Sequence, residues 1–278
     1  MWRLVVALLL VRFSVANYSD DYARKYLYPL SAAAFNNTEK CVQNILPDGQ
    51  MKRSVVVQCD LQDGCSGFTA ISPAQTTIFV VFRGSMENQV EWEVVDTVFE
   101  KMVAFPGGGL VNAYFYNAFL KVWNGGIKDD FLTLRSMYPK YQVVLTGHSL
   151  GAAMAALCAG FLANNGLVPA PQINLVDFGE PRTGNPVWAA QMDQLFPTAF
   201  RVIHDDDIVP HVPFLNMGYQ HHETEIWYKN DMSEPAYTVC NGDEDKQCSG
   251  GHLELNFSAH MMYFNRQIRQ FADNNCVY

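Results

Sequence analysis

Gly147-His148-Ser149-Leu150-Gly151 constrains this chain more than any other stretch. Gly-x-Ser-x-Gly is the pattern of a nucleophile elbow, a sharp strand-to-helix turn holding a serine in a strained backbone conformation with its hydroxyl presented outward. Side chains two residues to either side of that serine would collide across the turn, which is why both positions are glycine. The flanks fit. Tyr141-Gln142-Val143-Val144-Leu145-Thr146 is a short β-branched run suited to a buried parallel strand. Ala152 to Gly160 is rich in small residues and reads as a helix able to pack closely on a sheet. Strand, tight turn and helix form the context in which Ser149 can act as a nucleophile rather than sit in a Gly-rich turn.

The chain opens with Met1-Trp2-Arg3, an apolar run from Leu4 to Val11, and Ser14-Val15-Ala16, with small residues where a signal peptidase cuts. The run is shorter than the ~20 residues of a membrane span. The expectation is a signal peptide over residues 1–16, no transmembrane segment, and a mature domain over 17–278, long enough for one full core. Loss of Arg3 and Arg12 with the leader takes the formal charge from −9 to −11. So acidic a chain argues against a nucleic-acid partner. No linker, repeat or low-complexity tract divides it, and a monomer is expected.

Export into an oxidising compartment makes the seven cysteines informative. Cys158 falls in the Ala-rich helix and reads as a buried free thiol. Cys41, Cys59, Cys65, Cys240, Cys248 and Cys276 remain, with fifteen possible pairings. No Cys-x-x-Cys occurs, so no zinc site of that type is expected. Asn36-Asn37-Thr38 is a sequon on a polar turn and the expected glycan acceptor; Asn17-Tyr18-Ser19 and Asn256-Phe257-Ser258 also fit the pattern.

Along the chain, a helix is expected over 19–35, bent at Pro29. Strands are expected at Ser54–Cys59, Gly67–Ile71, Thr77–Phe82, Tyr141–Thr146, Ile173–Phe178 and Ala199–His204, with an antiparallel edge strand at Glu223–Tyr228. Glu87 to Ala104 reads as helix or irregular cover. Further helices are expected over 110–138, pausing at Gly125-Gly126, over 186–195 and over 259–271. Strands alternating with helices imply an α/β fold with a mainly parallel sheet and its site at the carboxyl ends of the strands.

A serine alcohol needs a base to take its proton, and the base needs a carboxylate to fix its tautomer. In α/β-hydrolase chains the order is serine, acid, histidine. Asp205-Asp206-Asp207 lies directly past a strand end, with Asp177 as a competitor. The candidate bases after the elbow are His204, His211, His221, His222, His252 and His260. His221-His222-Glu223 reads as a polar strand start rather than a metal ligand set, Asp205-Asp206 as a solvated loop, and His211 as a packed residue at the site rim.

Five stretches in order resemble the class 3 lipases, the fungal triacylglycerol lipase family: Val81-Phe82-Arg83-Gly84-Ser85, Gly147 to Ala152, Gly179-Glu180-Pro181-Arg182-Thr183-Gly184-Asn185-Pro186, Asp207-Ile208-Val209-Pro210-His211-Val212-Pro213, and His260-Met261-Met262-Tyr263-Phe264. The resemblance implies an α/β-hydrolase fold, a mainly parallel sheet with helices on both faces. It places the acid at Asp207 and the base at His260, with His252 as the rival base. It implies an oxyanion hole made by the amide of Leu150 and by Ser85, and a lid over residues 86–105. There Val90, Val94 and Val98 recur at helical spacing, Trp92, Val94 and Val98 are expected to meet substrate, Pro106-Gly107-Gly108-Gly109 offers a hinge, and the alternative is an ordinary surface helix packed on the core. It also implies a Cys41–Cys276 bridge between the two ends. Cys59–Cys65 and Cys240–Cys248 are expected as short local loops. The function implied is a secreted serine ester hydrolase cleaving acylglycerols without a cofactor, located outside the cell or in the secretory or endolysosomal lumen. The alternatives are a feruloyl-type or short-chain esterase, a phospholipase, and a non-catalytic lipid-binding protein.

Overall fold

The structure, a computed structural model, describes residues 17–59, 64–86, 100–252 and 256–277. The candidate leader and residues 87–99, which include Trp92, Val94 and Val98, lie outside the described residues. Twelve strands occur among the described residues: β1 Gln50–Gln58, β2 Gly64–Ser72, β3 Thr77–Phe82, β4 Met102–Ala104, β5 Leu110–Asn112, β6 Gln142–Gly147, β7 Ile173–Phe178, β8 Phe200–His204, β9 Glu225–Tyr228, β10 Thr238–Cys240, β11 Met262–Tyr263 and β12 Arg266–Gln267. Eight of them form one sheet in the order β1-β2-β3-β6-β7-β8-β9-β10. The run from β3 to β9 is parallel, and β1, β2 and β10 are antiparallel flanks.

Both faces of the sheet are covered, and strand parity decides which core each side chain joins. Ile78, Val80, Phe82, Val143 and Leu145 point into one core, with Phe119, Trp123 and the elbow helix Leu150–Asn164. Phe79, Val81 and Val144 point into the other, with Leu27, Tyr28, Leu30 and the C-terminal residues Ile268 and Phe271. The elbow helix is buried almost all round, which explains its small residues: eight of its fifteen residues are Ala or Gly, letting the sheet approach closely.

The first helical segment runs through Asp20–Tyr22, a π turn over Ala23–Leu27, and Tyr28–Ala33. The wide turn accommodates Pro29, which lacks an N–H and crowds the preceding turn. Three expectations are corrected. The strand at Glu225–Tyr228 is interior and parallel to β8, and the edge is β10; all four of its residues are buried, so its alternation of polar and apolar residues does not reflect one wet face. The last helix is not continuous over 259–271. A short helix Phe257–His260 is followed by the β11–β12 hairpin and a second helix, Ile268–Asp273. Phe264 and Asn265, both at positive φ (52° and 57°), make the two-residue turn that the right-handed strand twist favours. Third, Pro106–Gly109 is not a free hinge. It closes the β4–β5 hairpin, with Gly108 N–H donating to Phe105 O at 3.1 Å and Asn164 Nδ2 to Pro106 O at 2.9 Å.

Cys41–Cys276, Cys59–Cys65 and Cys240–Cys248 are joined, and Cys158 is a buried free thiol. The first bridge spans 235 residues and holds the helix Thr38–Ile45 to the C-terminus, where Asn37 Nδ2 also donates to the carbonyl of Ala272 at 3.3 Å. In the chain-entropy picture so long a loop contributes about 5–6 kcal/mol. Replacing both Cys41 and Cys276 by serine is therefore expected to lower the unfolding midpoint by roughly 10–20 °C. Thermal unfolding by circular dichroism checks this; an unchanged midpoint would show that the two ends are held by their other contacts.

Candidate active site

Strand β6 ends at Gly147 and the helix begins at Leu150, leaving one turn in which Ser149 sits at φ 59°, ψ −129°. That is a left-handed conformation which a residue with a side chain adopts only when its surroundings force it. The constraint is visible. A Cβ on Gly147 would collide with the carbonyl of Gly151, and one on Gly151 with the carbonyl of Phe82 at the end of β3. The elbow is pinned to β7 by Ser149 N–H donating to Phe178 O at 2.9 Å. Arg83-Gly84-Ser85 leaves β3 beside it, so close that a Cβ on Gly84 would lie 3.1 Å from that of Ser149. Ser85 is buried. Leu150 is the first residue of the helix, where backbone N–H groups have no intrahelical acceptor.

Strand β8 delivers Asp207 three residues past its end. Its carboxylate is fully buried and three donors meet it: His260 Nδ1–H to Oδ2 at 2.9 Å, the Tyr263 hydroxyl to Oδ2 at 2.7 Å, and Val209 N–H to Oδ1 at 2.9 Å. Burial alone would raise its pKa, but His260, Tyr263 and the Val209 amide outweigh that and hold it below the ordinary carboxylate range. The bond from Nδ1 fixes the imidazole tautomer of His260. Its Nε2 carries the lone pair, is buried, and makes no hydrogen bond among the described residues. A base with an oriented tautomer and a free lone pair is what proton transfer from a neighbouring alcohol needs.

His260 rides on the short helix Phe257–His260, which is capped by Asn256 accepting from Ser258 N–H and Ala259 N–H. His204 Nδ1–H donates to Ala259 O at 3.0 Å and steadies it from below. The ring of His148, next to Ser149, stacks on that of His260 with centroids 4.4 Å apart, and its Nε2–H donates to the carbonyl of His260 at 2.7 Å. Burial, then the neighbouring His260, push the pKa of His148 down to about 3. It is therefore neutral near neutral pH. Gly179, at φ 62°, passes under the pair: a Cβ there would lie 3.0 Å from both Asp207 Oδ2 and His260 Cε1.

The fold thus brings Ser85, Ser149, Leu150, Asp207 and His260 together at the carboxyl ends of β3, β6 and β8. It separates the rivals from them. His252 packs on Trp227, ring centroids 4.9 Å apart. Asp177 is buried beside Glu180 and Arg201. Asp205 and Asp206 are part-exposed on the turn before Asp207. His211 is buried, and its carbonyl accepts from Arg182. Tyr263 and His148 are supporting residues that the sequence reading did not single out. Both lie inside stretches quoted above, but their contacts span 56 and 112 residues and leave no local pattern.

Residues 79–217 match the lipase (class 3) family. Lipase ZK262.3 of Caenorhabditis elegans is 33% identical over 94% of this chain and 83% of its own length. Secreted mono- and diacylglycerol lipase 1 of Fusarium solani is 30% identical over 81% of this chain and 68% of its own length. Among solved structures, a lipase from Rhizopus microsporus var. chinensis superposes with a TM-score of 0.78 at 27% identity, covering 91% of this chain and 90% of that one. A triacylglycerol lipase described as having a serine protease triad at its catalytic centre superposes at 0.77 with 26% identity, over 91% and 97% of the two chains. The strained serine, the buried carboxylate–imidazole pair and these likenesses agree: this chain belongs to the class 3 lipase family and is a carboxylic ester hydrolase with the α/β-hydrolase fold.

Proposed function

We propose that the chain hydrolyses acylglycerols through an acyl-enzyme, with Ser149 as nucleophile, His260 as general base and then acid, and Asp207 as the group that orients and stabilises the imidazolium. The observation that carries this reading is the 2.9 Å Asp207–His260 bond, which leaves unbonded the Nε2 of a fully buried histidine whose ring stacks on His148, the residue before the elbow serine. Ser149 Oγ attacks the ester carbonyl as His260 Nε2 takes its proton. The negative oxygen of the tetrahedral intermediate is met by the amide of Leu150 and by Ser85, through its amide and hydroxyl, donors already in position before charge develops. The intermediate collapses, His260 returns the proton to the departing alcohol, and water activated by the same nitrogen releases the fatty acid. These residues carry the whole cycle.

The substrate class is supported by an apolar rim. Leu110, Val187, Phe214, Leu215 and Met217 are large and exposed. The chain holds them at the strand-end side: Asn185 N–H donates to Leu110 O, and Gly184 bridges both Val111 and Gln220. Such a patch suits a lipid–water interface better than a polar ester in solution. Residues 86–105 are proposed as a lid that follows directly from Ser85 and is anchored at its far end, residues 102–105, by the β4–β5 hairpin. In the sequence Val90, Val94 and Val98 recur at helical spacing, with Trp92 between the first two. The chain is proposed to act as a secreted monomer with a glycan on Asn36, an exposed residue. The relatives named as secreted lipases and the three disulfides support export. Among the described residues no helix is long and apolar enough to cross a membrane.

Rate measured against substrate concentration across the solubility limit tests this. A jump at the emulsion is expected, lost when Val94 and Val98 become serine and reduced when Phe214 and Leu215 do, while a soluble short-chain ester is cleaved at an unchanged rate. Smooth saturation by the soluble ester with no response to an emulsion would favour a simple esterase.

A further inference from the structure

On the far side of Gly179 from the catalytic pair lies a second buried polar cluster that the ester chemistry does not use. Asp177 at the end of β7, Glu180 in the following turn and His222 before β9 are all buried, and each offers a ligand atom within 4.8 Å of the other two. Their orientation is informative. His222 Nδ1–H donates to the carbonyl of Glu223 at 2.6 Å, so in the neutral ring the lone pair sits on Nε2, which faces Glu180 Oε2 at 3.0 Å. Glu180 Oε1 is taken by the Thr183 hydroxyl at 2.7 Å, leaving Oε2 as the inward atom. Both oxygens of Asp177 are buried with no hydrogen bond among the described residues. A proton on His222 Nε2 pairs it with Glu180 and still leaves both oxygens of Asp177 without a donor.

The surrounding charges do not fill that need. Arg201 lies beside Asp177 in the β7–β8 register, but its Nε donates to the carbonyl of His222 at 2.8 Å and its Nη2 faces Glu225 Oε2 at 3.9 Å. Glu225 Oε1 accepts from Ser249 N–H at 3.0 Å. Arg182 and Glu244 pair with each other at 2.8 Å. His221, held neutral by burial and by Arg201, gives its Nε2–H to the carbonyl of Pro210. Half-buried Asp193 accepts from Glu223 N–H. Both oxygens of Asp177 are thus left without a donor in the interior, which a buried carboxyl group does not tolerate unpaired.

We propose that Asp177, Glu180 and His222 bind one divalent transition-metal ion, zinc by the chemistry of the donors. One imidazole nitrogen with carboxylate oxygens suits zinc; calcium would want six to eight oxygens, which these three buried side chains do not supply, and magnesium is seldom bound through an imidazole. The outer partners are those of a metal site: the ligating histidine donates its other N–H to a backbone carbonyl, and one ligating carboxylate is held by a hydroxyl. Asp177 can supply both oxygens and complete four-coordination. The ion would tie the turn after β7, and with it Gly179 beneath Asp207 and His260, to the start of β9. It does not touch the ester, so its role is structural and independent of the roles proposed above for Ser149, Asp207 and His260.

The test uses the intact secreted chain. Elemental analysis after purification in zinc-containing buffer is expected to give about one zinc per chain. Dialysis against a chelator should lower the unfolding midpoint, and Zn²⁺ alone should restore it. Cobalt substitution should give visible d–d bands without thiolate charge transfer. Asp177→Asn and His222→Gln should weaken zinc binding by at least about 10–100-fold, the effect of losing even a supporting partner, and Thr183→Val by about 10-fold. The Thr183 variant keeps the result readable if the ligand variants do not fold. The alternative to a metal is protons, because burial and the neighbouring Glu180 raise the Asp177 carboxyl well above its usual range. A wild-type protein that contains no metal, and whose midpoint does not respond to Zn²⁺, Co²⁺ or Mn²⁺ near neutral pH, would overturn the site in favour of protons. Zinc retained at full affinity by the ligand variants would overturn it in favour of a site elsewhere.

Discussion

Ser149→Ala is expected to lower turnover on emulsified acylglycerol by on the order of 10⁴-fold or more while leaving the unfolding midpoint nearly unchanged. The substitution removes one oxygen from a buried position and leaves the left-handed backbone, which Gly147, Gly151 and the bond to Phe178 O impose rather than the hydroxyl. No intermediate can then form, because the covalent acceptor of the acyl group is gone. Some rate over water should survive from Ser85, Leu150 and substrate binding. Titration with a phosphonate ester gives a second readout: wild type should be labelled at one site and the variant not at all. Robust hydrolysis by the alanine protein would remove Ser149 from the mechanism.

Asp207→Asn should cost about 10⁴-fold in turnover, whereas Asp205→Asn and Asp206→Asn should change it only a few-fold. The geometry gives the reason. Both oxygens of Asp207 accept, and three donors converge on them. An asparagine has one oxygen and an NH₂ group. Whichever way it turns, its NH₂ meets a donor, either Val209 N–H or the pair from His260 and Tyr263. With the NH₂ toward His260 the imidazole is driven to the wrong tautomer, with Nε2 protonated and unable to take a proton from Ser149; with it toward Val209, two N–H donors are left facing each other. Asp205 and Asp206 are part-exposed and make no such convergence. The same buried carboxylate also sets a pH dependence of stability. Its folded pKa lies below its unfolded one. Its contribution to stability is therefore complete above the unfolded carboxylate range, and is lost as pH falls through the folded value. Acid unfolding curves should show that loss in wild type and less of it in the asparagine variant. A reversed ranking of the three aspartates in turnover would show that the acid is misassigned.

The elbow was legible because its requirements are local. A strained serine between a strand and a helix needs small residues two places away on each side, and that need is written in five consecutive positions. The buried strands at 77–82, 142–147 and 173–178 were legible for a similar reason: a strand covered on both faces is apolar throughout, so its composition alone marks it. The edge of the sheet was not. Glu225–Tyr228 alternates like a half-wet strand, but Glu225 is buried against Ser249 and Arg201, partners distant in sequence. The hairpin after His260 was missed because Phe264 at φ 52° is a conformation that a phenylalanine in a helix-like sequence does not advertise.

The sequence by itself determined the residue types of the chemistry, their order along the chain and the strand–turn–helix frame that presents Ser149, because these depend on neighbours a few positions apart. Choosing among the aspartates and histidines by physics alone required the tertiary structure. Asp207 is distinguished from Asp205 and Asp206 only by burial and by three donors, two of which arrive from more than fifty residues away. His260 is distinguished from His252 only by which ring reaches that carboxylate. Asp177, Glu180 and His222 are unremarkable along the chain and meet only because β7, its turn and the start of β9 are folded against one another. Burial and long-range electrostatics act through space, and no window of sequence contains them.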